Sequence, residues 1–506
     1  MTDLLLKPDY LLRAHDAPLE AGQAVLVRGD RILSHGSFAT LRAGHPDAEI
    51  VALPDSILMP GLVNAHQHGR GVSQIQLGYP DQRLEFWMAQ RRSRGCPDLA
   101  AVGLLASAEM LANGVTCAVH ADLAYGSGDY EAELRSSIAG YDAAGLRASI
   151  AVGVCDQGNI VFPQAMEGAF LADLPEDLAR WLAGRNGPPY EPDFAATSAL
   201  MDRLQDDFAG NARIGFCYGP SGPQWVTDDL FADTARDAER RGVGLHIHAL
   251  ETVAQYEACQ RLYPEGVMRH LARLGALGSR SVIAHGVFLT ADDIAVLAET
   301  GAMVATNPGS NLRLCDATAP VPQLIAAGVR VGVGSDNSSV MDDEDLLSEA
   351  RVASLLTGRR NWRSPPRPTA RQVIEMLTTS GAAIAGFENR IGRIEPGWFA
   401  DLAAFSVETI ASAYLDEDMP LVDALVARGR GRDVRMTMVA GRILYRDGVH
   451  TALDLAAVRD GAGAAARAAR APADRADIER TERLKPFLGA FYSRLTEATR
   501  FPDILS

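Results

Sequence analysis

Lysine is nearly absent from this chain. Lys7 and Lys485 are the only two among 506 residues, so almost all basic side chains are arginines. A lysine in the central part of the chain therefore cannot bridge two metals as a carbamate, form a Schiff base or bind phosphate in a glycine-rich loop. An excess of positive charge is also missing, because the formal net charge is −16. This charge argues against binding to nucleic acid or to an anionic membrane.

Long apolar runs and paired cysteines are missing as well. No apolar stretch approaches the roughly 20 residues of a membrane-spanning helix. The N-terminus lacks the charged region followed by an apolar core that marks a signal peptide. The six cysteines are scattered and form no Cys-x-x-Cys pair, which is typical of reduced thiols in a protein core. We therefore expect a cytoplasmic protein.

A repeated local unit is present in the central part of the chain. Helical stretches there end at a glycine that leads into a short β-branched run, and five such joints stand at Gly114, Gly145, Gly242, Gly301 and Gly328. Glycine just past a helix accepts the left-handed conformation that other residues resist. Repeated helix–glycine–strand units predict a parallel sheet with helical crossovers.

This repeated unit gives eight candidate strands. Eight is the number that closes a (β/α)8 barrel. The strands cover residues 57–65, 115–120, 147–154, 213–218, 243–248, 281–285, 302–306 and 329–335. We therefore predict an α/β fold with three parts. Residues 59–390 form a TIM-like (β/α)8 barrel, residues 1–58 and 391–450 form a small discontinuous β-sandwich domain, and residues 451–506 form a helical extension that is peripheral or part of a dimer contact.

Side chains that can bind a metal or move protons recur where the predicted strands end. They are His66 and His68 at the end of the first strand, His246, His248 and Glu251 at the end of the fifth, His285 at the end of the sixth and Asp336 at the end of the eighth. The carboxyl ends of all strands in such a barrel meet at one mouth. Five of the 11 histidines lie at these ends, so unrelated structural roles would require several independent coincidences. We expect one shared site.

Several motifs in this order carry a family resemblance. They are Pro60-Gly-Leu-Val-Asn-Ala-His-Gln-His68, His248-Ala-Leu-Glu-Thr252, Ala284-His-Gly286 and Gly334-Ser-Asp336, with further matches at Asn307–Leu314 and Gly397–Leu402. The chain resembles the amidohydrolase superfamily, most closely its cytosine deaminase-like, triazine hydrolase-like branch. The resemblance covers about residues 20–450 and is specific for the branch but not for a substrate.

The resemblance implies a ligand set and a reaction. His66, His68, His248 and Asp336 are the implied ligands of one divalent metal per chain, zinc first and iron as the alternative. Glu251 and His285 are the implied acid–base and polarising groups, and Asp336 takes a proton from the metal-activated water. Three imidazoles and one carboxylate leave an open position for that water. The implied activity is hydrolytic deamination of a small amino-substituted N-heterocycle, and the implied assembly is a homodimer.

Other functions remain open at this point. The same machinery could release chloride or an alkylamine from a triazine, or open a cyclic amide, and a non-catalytic metal-binding scaffold is a further alternative. Relatives often carry a histidine after the fourth strand, whereas this chain has Gly219-Pro-Ser-Gly222 there. A nucleic-acid deaminase is disfavoured by the acidic charge and by the lack of a His-x-Glu with Cys-x-x-Cys signature.

Weaker candidates for substrate contacts lie in the loops after the strands. They are Gln74, Trp87, His120, Gln224, Asn307 and Asn311, each of which could equally serve a turn or the core. His246 lies deeper on its strand than His248, so we expect it to be a core histidine. The long connection 155–193 is either a loop over the site or an excursion without a role in the site.

Overall fold

The computed structural model describes residues 3–91, 95–158, 160–190, 193–356, 364–470 and 474–499. Among these residues, none of the helices combines the length and the apolar character that crossing a membrane requires. All six cysteines are described, and each carries a free thiol.

Seventeen strands in the described residues form two sheets. In chain order they are β1 Leu4–Leu12, β2 Leu19–Ala21, β3 Gln23–Arg28, β4 Arg31–Ser37, β5 Glu49–Pro60, β6 Leu62–Gln67, β7 Val115–Ala121, β8 Arg147–Val154, β9 Ile214–Pro220, β10 Leu245–Ala249, β11 Ser281–His285, β12 Met303–Thr306, β13 Val331–Val333, β14 Leu402–Ser406, β15 Val434–Val439, β16 Arg442–Arg446 and β17 Val449–His450.

Twenty α-helices of the described part of the chain lie between and after these strands. They are α1 Phe38–Gly44, α2 Leu84–Arg91, α3 Leu99–Ala112, α4 Tyr130–Ala144, α5 Glu167–Ala172, α6 Glu176–Ala183, α7 Phe194–Asp207, α8 Asp228–Arg241, α9 Val253–Leu262, α10 Val267–Arg273, α11 Ala291–Thr300, α12 Pro308–Arg313, α13 Val321–Ala326, α14 Leu346–Leu356, α15 Ala370–Leu377, α16 Thr379–Ile384, α17 Val407–Ala411, α18 Leu421–Arg428, α19 Leu455–Ala468 and α20 Asp474–Thr496. Two short 3₁₀ turns cover Gln164–Met166 and Gly431–Asp433.

Strands β6 to β13 form the predicted barrel. Each pairs in parallel with the next strand in the chain. A parallel bridge between Gln67 and Asp336 joins the end of β6 to the segment after β13 and closes the ring. The (β/α)8 prediction is confirmed, and the carboxyl ends of all eight strands open at one mouth.

The five glycine joints behave as predicted. Gly114, Gly145, Gly242, Gly301 and Gly328 all have positive φ, between 69° and 81°. An L-residue at any of these positions would hold a left-handed conformation at a steric cost. The glycines therefore let each helix stop abruptly and turn the chain into the next barrel strand.

The predicted first strand, 57–65, is wrong in its extent. Residues up to Pro60 belong to β5, which pairs with β1 and β14 in the second sheet, and the barrel begins with β6 at Leu62. Gly61 separates them, and a Cβ on it would come within 2.2 Å of the Thr116 side chain. Both flanking strands are buried on both faces here, so the apolar pattern runs on without a sign of the change of sheet.

The second sheet has nine strands drawn from both chain ends. Along the sheet the order is β17, β16, β15, β14, β5, β1, β3 and β4, with β2 paired to β1. Only β1 and β5 pair in parallel; the other neighbours are antiparallel. The small β domain built from both ends is therefore present beside the barrel.

The helical extension packs on one side of the barrel mouth. Leu484 and Leu488 of α20 are buried in the same apolar cluster as Trp87 of α2 and Leu178 of α6. The Tyr492 hydroxyl donates a 2.8 Å hydrogen bond to a backbone carbonyl in the connection between β8 and β9. The extension thus supports both α2 and that long connection from outside.

Candidate active site

The predicted metal and acid–base residues converge at the barrel mouth. Their candidate ligand atoms fall within 4.8 Å of one another in three overlapping groups, which are His66 with His248 and His285, His66 with His68 and Asp336, and Glu251 with His285 and Asp336. All of these side chains are buried except that of His248, which is partly exposed. Strand ends at β6, β10, β11 and β13 supply them, as the barrel topology dictates.

His66 is held from below by a second histidine. Its Nδ1 lies 2.7 Å from Nε2 of His246, and the two rings are nearly parallel with centroids 5.0 Å apart. Its Nε2 faces the mouth, 3.4 Å from Oδ1 of Asp336, without a hydrogen-bond partner. His246 is buried in the barrel interior, as we expect of a core histidine, and it orients His66 rather than joining the three groups.

Asp336 and His68 face each other across the closing seam of the barrel. His68 Nε2 lies 2.9 Å from Oδ1 of Asp336, and His68 Nδ1 contacts the Ala121 carbonyl. Ser310 donates a 2.5 Å hydrogen bond to the other carboxylate oxygen of Asp336. Burial alone would raise the pKa of Asp336, but the adjacent His66 and His68 outweigh it and hold this pKa well below its usual range. Asp336 is therefore ionised.

The histidines are neutral, which is the state that binds metals. Burial lowers the pKa of His66 and His248 well below the usual value and also lowers those of His68 and His285. Neutral imidazoles keep one nitrogen lone pair available as a ligand. The cluster thus combines uncharged nitrogen donors with one carboxylate.

His285 has a strained backbone and a fixed ring. Its φ is +72°, which is uncommon for a residue with a side chain. Its Nδ1 lies 2.9 Å from Oδ1 of Asn311 and 3.3 Å from Nδ2 of Asn307. These two amides fix the ring through Nδ1, which also lies 3.7 Å from Oε1 of Glu251.

Glu251 lies beside this cluster as a buried carboxyl group. Gln255 donates a 3.3 Å hydrogen bond to its Oε2, and its own backbone N–H donates a 2.9 Å bond to Oε1 of Gln255. Burial, with the negative charge of Asp336 as a second cause, raises the pKa of Glu251 well above its usual value. A raised pKa keeps the proton on this carboxyl group to a higher pH than usual, which suits a proton donor.

A cavity opens above these residues. His68, His248, Glu251, His285 and Asp336 form its base. Its walls carry the apolar and aromatic side chains Leu84, Trp87, Met88, Tyr190 and Trp225. A narrow space between aromatic side chains suits a flat ring.

The long connection between β8 and β9 reaches this cavity. Pro189 and Tyr190 lie in the wall, and the Tyr190 hydroxyl donates a 2.8 Å hydrogen bond to the Asp122 carbonyl. Of the two alternatives for residues 155–193, the structure therefore favours a segment over the site.

The weaker substrate-contact candidates occupy different positions. Trp87 lines the cavity, and its Nε1 donates a 2.9 Å hydrogen bond to Oε1 of Gln74, which stands behind it. His120 lies between the Tyr141 hydroxyl, 2.9 Å from its Nδ1, and Asp122, 3.2 Å from its Nε2. Gln224 is buried near Cys259, and Asn307 and Asn311 contact His285 as described above.

Sequence reasoning missed several side chains of the cavity wall, four of which carry charged or aromatic groups. They are Arg91, Asp122, Tyr190 and Trp225. Asp122 could have been found, because it follows the end of β7 directly. The other three lie on a helix end and in irregular segments, where no periodicity marks a position as facing the site.

The family assignment follows from comparison with known proteins. The profile of the Amidohydrolase family matches residues 57–444. The chain belongs to the amidohydrolase family. A shorter profile, an imidazolonepropionase-like composite domain of bacteria, matches residues 24–48 in the second sheet.

Curated relatives of this amidohydrolase match most of its length. It is 32% identical over 445 residues to a 5-methylthioadenosine/S-adenosylhomocysteine deaminase of Nitratidesulfovibrio vulgaris, covering 86% of this chain and 90% of that protein. It is 29% identical to a 5'-deoxyadenosine deaminase of Methanosarcina barkeri, covering 92% of this chain and 98% of that protein.

Solved structures share the fold. An adenosine deaminase from Xanthomonas campestris with bound zinc superposes with a TM-score of 0.77 at 24% identity, over 93% of this chain and 99% of that chain. A zinc complex of atrazine chlorohydrolase from Arthrobacter aurescens TC1 gives a TM-score of 0.74 at 20% identity, over 92% and 100% of the two chains.

Proposed function

We propose that this amidohydrolase is a metal-dependent deaminase of an amino-substituted N-heterocycle. The observation that carries the proposal is the convergence of neutral histidines, an ionised Asp336 and the buried carboxyl group of Glu251 at the base of one aromatic-walled cavity. The named deaminases among the relatives, which match most of the chain, support the reaction type.

The residues at the mouth fit a divalent metal. His66 Nε2 and His248 Nδ1 are buried and have no hydrogen-bond partner among the described residues, and such buried nitrogens are costly without a ligand. We assign His66, His68, His248 and Asp336 as the residues that would hold one metal ion per chain. Zinc is the first choice because it favours nitrogen and carboxylate ligands, and two solved relatives carry zinc.

The chain's own residues then have distinct tasks. When bound, the metal supplies Lewis acidity that brings the pKa of a water towards neutrality. Asp336 is ionised and can accept the proton of the attacking water. In its acid form Glu251 can donate a proton to the ring nitrogen next to the carbon that bears the amino group. The proton that Asp336 accepts from the water can then pass to the leaving ammonia, while the proton of the new hydroxyl group returns Glu251 to its acid form. His285, fixed through its Nδ1, can stabilise the developing charge.

The cavity and Glu251 together favour deamination over the other reactions of this machinery. Loss of ammonia from a heterocycle needs a donor for the ring nitrogen, and Glu251 is a buried acid at the cavity base. Purine nucleosides are the first substrates to test, because the named relatives act on them. Triazine dechlorination is the second candidate, favoured by the fold shared with the chlorohydrolase.

Ammonia release from a panel of rings tests the proposal. The panel contains 5'-deoxyadenosine, adenosine, guanine, pterin, cytosine and melamine, with atrazine for chloride release and a cyclic urea for ring opening. We expect ammonia from one ring class and its loss in Glu251→Gln with metal retained. Chloride release or ring opening without ammonia from any amino ring would contradict deamination.

A further inference from the structure

Two buried arginines stand beside the cavity without a carboxylate partner. Arg70 and Arg91 are each only 9% exposed. Among the residues that the structure describes, no carboxylate oxygen lies within 4.0 Å of either guanidinium group. A buried charge is costly unless it is paired. A bound anion beside these two arginines would offset that cost.

Arg91 forms part of the cavity wall itself. It is the last residue of α2, and its Nη2 donates hydrogen bonds of 3.1 and 3.0 Å to the carbonyls of Leu123 and Ala124. Its Nε is buried and has no hydrogen-bond partner among the residues that the structure describes. Carbonyl dipoles orient the guanidinium but leave its positive charge uncompensated.

Arg70 adds a second positive charge behind the wall. Its Nε and Nη2 are buried without a partner. Its Cζ lies 5.3 Å from the ring centroid of Trp87 and 5.8 Å from that of Tyr125, while Cζ of Arg91 lies 4.7 Å from the Tyr125 centroid. The two arginines therefore flank one tyrosine and act on the same part of the cavity.

One acidic side chain lies on the same wall. Asp122 lines the cavity, but its Oδ1 lies 3.2 Å from Nε2 of His120, and neither oxygen is within ion-pair distance of Arg91. The remaining acids of the cavity, Glu251 and Asp336, belong to its base. The end of the cavity at Arg91 is thus a place where a ligand anion would find a buried donor.

We propose that Arg91, with Arg70 behind it, forms a subsite for a carboxylate carried by the substrate as a substituent of its ring system. This inference rests on the proposed function, because the ring itself would occupy the cavity base. A guanidinium binds a carboxylate through charge-assisted and often bidentate hydrogen bonds. The enzyme would then prefer an N-heterocycle with an anionic substituent over the same heterocycle without one.

Matched substrate pairs test this subsite. For a purine the pair is adenosine and adenosine-5'-carboxylic acid, and for a pterin it is pterin and pterin-6-carboxylate. The readout is the ratio of kcat/KM for the acid to kcat/KM for the uncharged ring, because this ratio does not depend on the fraction of folded or metal-loaded enzyme. The zinc-reconstituted wild type is compared with Arg91→Gln, Arg91→Lys and Asp122→Asn.

We expect the wild type to prefer the acid and Arg91→Gln to lower the ratio at least about tenfold, the usual scale for a lost charge-assisted pair. Arg91→Lys should retain part of the preference, since it keeps the charge but not the fork of donors. Asp122→Asn should raise the ratio, because it removes negative charge from the same wall. An unchanged ratio in Arg91→Gln, or a wild type that prefers the uncharged ring, would overturn the subsite.

Failure of the proposed function is distinguishable from failure of the subsite. If the wild type releases no ammonia from either member of a pair, deamination fails. Calorimetric titration with the same two acids and their uncharged counterparts then decides about the subsite alone. Weaker binding of the acid to Arg91→Gln than to the wild type would support it, and equal binding would overturn it.

Discussion

The two ends of the barrel differ in how their buried polar groups are paired. At the end opposite the mouth, Arg147 donates hydrogen bonds of 2.6 and 3.1 Å to the two oxygens of Asp401 and one of 2.7 Å to the Ala212 carbonyl. Asp401 also accepts a 2.7 Å bond from the Ala440 N–H. At the mouth, nitrogens of His66 and His248 have no partner among the described residues.

The paired groups have a structural role, whereas the unpaired nitrogens indicate a binding site. Arg147 lies at the start of β8 and Asp401 directly before β14, so the satisfied pair joins the barrel to the second sheet. The chain can therefore complete a buried polar network where its task is to hold domains together. Unsatisfied nitrogens that converge at the mouth are accordingly better explained by a ligand than by poor packing.

Removing a proposed metal ligand should have the largest effect. We expect Asp336→Asn and His248→Ala to abolish turnover and to lower bound metal, because each leaves the remaining donors too few to hold the ion. Metal analysis beside the ammonia assay measures both. His270→Gln is the matched control, since His270 is a buried histidine on α10 that contacts Asp228 away from the mouth; its metal content and activity should match the wild type.

Removing the proposed proton donor should have the next largest effect. Glu251→Gln should keep its metal and lose activity by about 10²- to 10⁴-fold, the usual range for general acid–base catalysis. Because Glu251 must be protonated to act, wild-type kcat/KM should fall as pH rises through its raised pKa, and this limb should vanish in the variant. Glu85→Gln changes another buried carboxyl, bonded to Thr252, and should cost far less activity. Full activity in Glu251→Gln would refute the proton-donor role.

Breaking the ion pair between Arg147 and Asp401 should lower the stability of the fold and leave metal binding unchanged. Arg147→Met leaves Asp401 buried and unpaired, which should lower the free energy of unfolding by about 3–5 kcal/mol. Urea denaturation measures the loss, while metal bound per folded chain should not change. Replacing both partners, as in Arg147→Met with Asp401→Leu, should recover part of the stability. Loss of metal in folded Arg147→Met would mean that the two ends are not independent.

A half-buried carboxyl group behind the mouth, that of Glu344, should give the smallest and most pH-dependent effect. Burial raises the pKa of Glu344 from its usual 4.5 to about 8, and Ser335 donates a 2.6 Å hydrogen bond to it. The folded state therefore holds a proton that the unfolded state releases, so wild-type stability should fall as pH rises from about 5 to 8. Glu344→Gln cannot ionise and should melt above the wild type by a margin that grows over this interval. A constant difference in Tm from pH 5 to 8 would contradict this role.

The fold was largely predictable because its signals are local. Glycine at Gly114 or Gly242 marks a helix end whatever the rest of the chain does, and repetition of the unit indicates the barrel. The change of sheet at Gly61 was not predictable, since both strands beside it are apolar and buried. Its cause is a contact with Thr116, which lies 55 residues away in the sequence and is adjacent only in the fold.

The candidate site also has a part that could be predicted from the sequence and a part that could not. His66, His248 and Asp336 stand at strand ends, whose common position follows from the topology alone. Arg91 reaches the cavity from a helix end and Tyr190 from a long connection. The positions of both segments depend on packing against α20 and on side-chain contacts around the mouth. Sequence pattern carries no record of that packing, so the substrate-facing wall became visible only in the structure.

Metal content measured together with activity tests the central claim most directly. Purified wild type is assayed for zinc and iron and for ammonia release, before and after chelation and after reconstitution with zinc. We predict about one metal per chain, with loss and recovery of activity in step with the metal. Full ammonia release by metal-free enzyme, or a normal metal content in both Asp336→Asn and His248→Ala, would contradict the assignment of the mouth as the metal site.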